Sequence, residues 1–210
     1  LRPADYTREV PANALKWLLQ YGIPWKYWQP HLGYSPKECR LVFSVGLPLA
    51  FSIGRYIPEE DRSTSLRPTR EPVVYGVKAG ERSNNDQGNP PVRKWFVWGD
   101  CHKHTEAIRG SGEHIVLVED LISAHKVALS GASYATIPLF GTKIHPCHIY
   151  YLINTDKDVV LWLDKDQEMN VKRQAWQLES VINRPVKVVI TDKDPKVLTF
   201  EEINGQLSNT

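Results

Sequence analysis

Four short apolar runs in the second half of the chain constrain its fold most: "HIVLVE" (114–119), "YATIPL" (134–139), "VVLWLD" (159–164) and "VKVVIT" (186–191). Each is continuous rather than alternating, and rich in β-branched residues. A strand with one wet face alternates apolar and polar positions; a strand covered on both faces has no need to. Helical stretches separate the runs. "DLISAHKVALSG" places apolar residues at 121, 122, 124, 127, 128 and 129 and ends on Gly131, a suitable C-cap. "NVKRQAWQLESVI" spaces Val171, Ala175, Leu178 and Ile182 three or four apart, one stripe of a helix. This alternation predicts an α/β domain whose mainly parallel sheet is flanked by helices.

The first half follows another pattern. "ANALKWLLQYGI" (12–23) predicts a short amphipathic helix stopped by Gly22 and Pro24. "CRLVFSVG" and "LAFSIGRYI" predict two strands meeting in a hairpin at Gly46-Leu47-Pro48, and "RKWFVWG" (93–99) a further strand. Residues 58–72 and 80–91, rich in Pro, Gly, Asn, Ser and charge, read as loops. The expected organisation is an α+β subdomain over 1–110 and the α/β domain over 111–210. Apolar content of 41% and charged content of 24% are those of an ordinary globular protein. No apolar run approaches the ~18 residues of a membrane span, and no signal peptide opens the chain. Cys39, Cys101 and Cys147 form no CxxC pair, which argues against a disulfide framework and for a reducing, cytoplasmic setting. A start at Leu1 rather than Met is that expected of a fragment.

Charge is unevenly spread. Residues 1–110 carry 16 Lys/Arg and 11 Asp/Glu; residues 111–210 carry 10 and 13. The basic half suggests a polyanion partner and the acidic half a cation site, although a split of this size also arises by chance. The acids are not random in position. The first run ends on Glu119; the third ends on Asp164, with Asp166 beyond; the fourth is followed by Asp192 and Asp194. In an open parallel sheet the carboxyl ends of all strands meet at one edge, where ligands bind. Carboxylates crowded there raise one another's pKa unless a cation neutralises them. Oxygen ligands suit Mg²⁺ or Mn²⁺, and the pattern suggests metal-dependent phosphoryl or nucleotidyl transfer. A single Asp-x-Asp after a strand is more often structural or solvated; three acidic strand ends in one unit are not so easily set aside.

"IVLVEDLISAHKVA", "TIPLFGT" and "VVLWLDKDQE" together resemble a TOPRIM domain, with its glutamate after the first strand, Gly-Thr turn after the second and Asp-x-Asp after the third: Glu119, Gly141-Thr142 and Asp164-x-Asp166. "VKVVITDKDPK" resembles the fourth strand and Lys-Asp turn of bacteriophage and bacterial primases, which assigns Asp194 and Asp192 to the metal edge. The resemblance covers about residues 112–200; residues 1–110 resemble more weakly the RNA-polymerase-like subdomain preceding TOPRIM in DnaG-type and phage primases. It implies a DNA primase catalytic core that makes short RNA primers from ribonucleoside triphosphates on single-stranded DNA during DNA replication. Glu119, Asp164 and Asp166 would be catalytic and hold Mg²⁺ or Mn²⁺. Arg55, Lys78, Arg93, Lys94 and Lys143 are the candidates for binding template and nucleotide. A replicative helicase is the implied partner, with no membrane, in the host cytoplasm if the protein is phage-encoded.

Two departures from the family pattern stand out. Asp120 follows the glutamate where Gly is usual, and Ser123 stands where primases often have Asp, which leaves open which acids hold a second ion, Asp120 among them. The cysteine pairs of the primase template-reading zinc module are absent. "CHKH" (101–104) and "HPCH" (145–148) hold soft ligands without the spacing of one chelate turn, and read as satisfied or exposed histidines. Trp17, Trp25, Trp28, Trp95 and Trp98 are core candidates, of which one or two could stack bases. Two alternatives remain: a TOPRIM-type nuclease using the same acids to activate water, and a non-catalytic single-stranded DNA-binding replication module.

Overall fold

The structure is a computed structural model and describes residues 2–45, 51–58, 93–99, 112–131, 134–164 and 168–208. The chain divides into two compact units, Leu1–Cys101 and His102–Thr210. It is a mixed α/β protein with one antiparallel and one parallel sheet. Among the described residues no helix is long and apolar enough to cross a membrane.

The first unit opens with α1 (Ala12–Leu19), α2 (Trp25–Trp28) and a 3₁₀ turn at Gln29–His31. Helix α1 is shorter than its apolar pattern: Ala14 and Leu18, one turn apart, are buried, and Gly22 at φ +72° turns the chain away. Strands β1 (Leu32–Ser35), β2 (Arg40–Val45), β3 (Phe51–Tyr56) and β4 (Trp95–Trp98) follow as an antiparallel sheet in sequence order. Strands β2 and β3 pair as expected, Val45 opposite Phe51, although the hairpin residues 46–50 lie outside the described residues. Trp28 and Phe43 are fully buried with ring centroids 5.5 Å apart, edge to face, the arrangement the ring quadrupole favours.

The second unit runs β5 (His114–Val118), α3 (Leu121–Ser130), β6 (Tyr134–Pro138), α4 (Pro146–Ile153), β7 (Asp158–Trp162), α5 (Glu168–Ile182), β8 (Val186–Val189), a 3₁₀ turn at Pro195–Val197 and α6 (Phe200–Ser208). The four strands are parallel in the order β6-β5-β7-β8. Their continuous apolar character has a direct cause. Ile115 and Leu117 of β5 pack into one core with Leu152 of α4 and Val171, Ala175 and Leu178 of α5. Val116 and Val118, on the opposite face, pack into another with Ala124 and Val127 of α3 and Ile203 and Leu207 of α6. With successive side chains pointing to opposite faces, both need an apolar neighbour. Burying each of the valine, leucine and isoleucine side chains contributes roughly 1.5–3 kcal/mol.

Candidate active site

The strand order makes β5 and β7 neighbours whose outgoing connections run to opposite sides of the sheet. That is a topological switch point, where the crevice at the carboxyl edge of an open parallel sheet forms. Val118 is in register with Trp162, so Glu119 and Asp164 leave adjacent strands at this point. On the other side of β5, Leu139 N–H donates to Val118 O (2.8 Å) and Gly141 N–H to Glu119 O (3.2 Å), tying the Gly-Thr turn to the glutamate's backbone. Gly141 has φ +149° and open space around its Cα, so glycine is required there by backbone conformation rather than by crowding.

Asp164 is half-buried, and its pKa is pushed up to about 7. Burial is the main cause; the Asp194 and Glu119 carboxylates add to it, Asp194 is also its hydrogen-bond partner, and Lys196 opposes the rise. The fold thus brings Glu119, just past β5, and Asp194, at the N-cap of the 3₁₀ turn that follows β8, within electrostatic reach of Asp164, just past β7. A carboxyl that burial and like charges keep protonated toward neutrality, as Asp164 is, sits where positive charge is short.

Asp120 has a different environment. It is the N-cap of α3: Oδ1 accepts from the N–H groups of Ile122 (2.8 Å) and Ser123 (3.0 Å). Its Oδ2 accepts from Ser123 Oγ (2.9 Å) and from Lys196 Nζ (2.9 Å). A carboxylate has about four lone-pair sites, and these four donors fill them. Ser123, at the position where an acid was expected, is buried and spends its hydroxyl on this cap. Lys196 also pairs with Asp194. Burial acts to lower the lysine's pKa, but the two carboxylates outweigh it and hold the ammonium above the ordinary range. Sequence reading missed Lys196; its partner Asp120 is 76 residues away and no local pattern links them.

The remaining candidates are spread more widely. Asp192 is exposed and lines a cleft of about 390 Å³ with Thr191, Lys193, Leu198, Glu202 and Gln206. Lys143 is exposed just after the Gly-Thr turn. In the first unit Arg93 and Lys94 are exposed at the start of β4, while the Arg55 guanidinium lies 5.1 Å from the Trp17 ring centroid and 5.4 Å from that of Trp95. Asp166 and Lys78 lie outside the described residues. So does "CHKH", whereas "HPCH" opens α4: His145 N–H donates to the buried His148 Nδ1 (3.2 Å), with Pro146 in the first turn.

Among the described residues no three His, Cys, Asp or Glu side chains are grouped as ligands of one ion. Asp164 is bonded to Asp194, and Lys196 joins Asp194 to Asp120. The donor set nevertheless has the chemistry for a hard divalent cation: its donors are all carboxylate oxygens, and the like charge that adds to the effect of burial on Asp164 is what such an ion would relieve.

No protein-family model matches the sequence, and no curated protein matches it. In solved structures the chain is similar to the crystal structure of a DNA primase domain from Pseudomonas aeruginosa, with a TM-score of 0.51 and 14% sequence identity. The match covers 96% of this chain and 60% of that one. At that identity the likeness is one of fold.

Proposed function

We propose that the chain is the catalytic core of a DNA primase, joining ribonucleotides on a single-stranded DNA template. The observation that carries the reading is the meeting of Glu119, Asp164 and Asp194 at the switch point of the parallel sheet, in a chain whose fold is like that of a DNA primase domain. Glu119, Asp164 and Asp194 would hold Mg²⁺ or Mn²⁺ together with Asp166, which the TOPRIM resemblance assigns to the same edge. A bound ion there supplies positive charge to the triphosphate and lowers the pKa of an attacking 3′-hydroxyl. The chain's own part is to hold Glu119 and Asp164 just past two adjacent strands and Asp194 at the N-cap of the 3₁₀ turn, and to give up the proton on Asp164 as the cation arrives. Lys143 stands at the same edge as a phosphate partner, and Arg93 and Lys94 with the basic residues of 1–110 would hold template.

The test is to incubate the chain with a single-stranded template, a short complementary oligoribonucleotide, labelled ribonucleoside triphosphates and Mg²⁺ or Mn²⁺. Extension of the oligoribonucleotide is the expected result. Shortening of either strand would instead mark a nuclease, and retention of template without reaction a binding module. Glu119→Gln and Asp164→Asn are expected to lower extension at least about a hundredfold, the loss that follows when about 2.7 kcal/mol of transition-state stabilisation is removed.

A further inference from the structure

Lys196 is held at both ends. Its carbonyl accepts a hydrogen bond from Nζ of Lys126 (3.2 Å), a buried lysine of α3. Its own Nζ lies 2.9 Å from Asp120 Oδ2 and pairs with Asp194. A closed ring results: Asp120 caps α3, α3 carries Lys126, Lys126 holds the backbone of Lys196, and Lys196 returns to Asp120. The three side chains of the ion-pair group are only 23% (Lys196), 21% (Asp120) and 33% (Asp194) exposed. This is not the loose surface pair whose partners exchange freely with solvent. Pro195 restricts the backbone before the lysine, at the start of the 3₁₀ turn.

Metal-dependent nucleotidyl transfer commonly uses two ions a few ångströms apart, one on each reacting oxygen. Here a fixed ammonium already sits between two of the acids that could take a second ion. A divalent cation at Asp120 and Asp194 would have to displace a charge of its own sign that is anchored from behind. Asp120 has no acceptor capacity left, and an ion at Glu119 and Asp164 would share Asp194 with Lys196. We propose that Lys196 is a built-in cation that takes the place of a second divalent ion, so that the acidic edge binds one Mn²⁺ or Mg²⁺ per chain. The inference rests on the metal-dependent reading above.

The test counts ions, not turnover. Mn²⁺ is titrated into the full chain and the free ion is followed by its electron paramagnetic resonance signal, for wild type, Lys196→Met and Lys196→Glu; circular dichroism establishes that each variant is folded. One ion on wild type, and a second on a folded variant, is the expected result. Two ions on wild type would overturn the inference and leave the metal-dependent reading standing. One ion on both folded variants would also overturn it, because removing or reversing the lysine charge would then have opened nothing. No ion on wild type would overturn the reading beneath it and the inference with it. If neither variant folds, the wild-type count still decides: one supports, two overturns.

Discussion

At the scale of single residues, Asp164 makes a pH-dependent statement about the chain without metal. Its folded pKa of about 7 lies above the ordinary 3.8, so between these values the folded chain holds a proton that the unfolded chain releases. The stability this group contributes is complete below about pH 4 and is lost as pH rises through about 7. Asp164→Asn keeps a neutral side chain at every pH. Its melting temperature relative to wild type is therefore expected to rise between pH 5 and pH 8 in the absence of divalent ions. Thermal melts followed by circular dichroism at both values check this, and a pH-independent difference would show that Asp164 is not held protonated. With millimolar Mn²⁺ the order at pH 8 should reverse, since only the aspartate gains from the cation.

At the scale of elements, the cap of α3 carries more than a helix end. Asp120 accepts two backbone N–H groups as an N-cap and reaches Lys196 of the 3₁₀ turn with its other oxygen. Asp120→Ala loses both functions; losing a cap alone costs about 0.5–2 kcal/mol. Asp120→Asn keeps the carbonyl oxygen that caps the helix and loses the charge. Urea denaturation should rank wild type above Asn and Asn above Ala; equal losses would mean that the cap contributes nothing separable from the ion pair.

The elements also differ in how legible they were. Strands β5 to β8 could be read because helices on both faces of the sheet demand uninterrupted apolar residues, α5 because it keeps one apolar stripe, and α3 because a dense apolar run ends on Gly131. Helix α4 escaped notice: it opens on Pro146, buries His148, and leaves Tyr150 and Ile153 exposed, so its apolar residues mark no single face. Helix α6 carries Gly205 in its interior, a poor helix former, and is held by Ile203 and Leu207. Strand β1 is four residues long and includes Gly33. Of the site, the approach of Glu119 and Asp194 to Asp164 was legible because parallel strands bring their carboxyl ends to one edge, whereas Asp192 lines a cleft with none of these three acids. Lys196 was not, because an ion pair between residues distant in sequence leaves no periodic trace.

At the scale of the whole molecule, the excess of basic residues in 1–110 bears on where template is held, and the structure separates two kinds of basic residue there. Arg93 and Lys94 are exposed, so each is placed to meet a phosphate from solution. The Arg55 guanidinium lies over the Trp17 and Trp95 rings, a cation–π contact worth about 0.5–2 kcal/mol. The two kinds predict different failures. Arg93→Ala and Lys94→Ala should each lower the slope of log affinity against log salt for single-stranded DNA by about 0.7 while leaving the melting temperature unchanged. Arg55→Ala should lower the melting temperature and leave the slope as it is. Fluorescence anisotropy of a labelled oligothymidylate at several salt concentrations measures the slope, and circular dichroism the melting. Unchanged slopes for Arg93 and Lys94 would take the start of β4 out of the template path. A reduced slope for Arg55→Ala at unchanged stability would mean that its guanidinium reaches phosphate past the two indole rings.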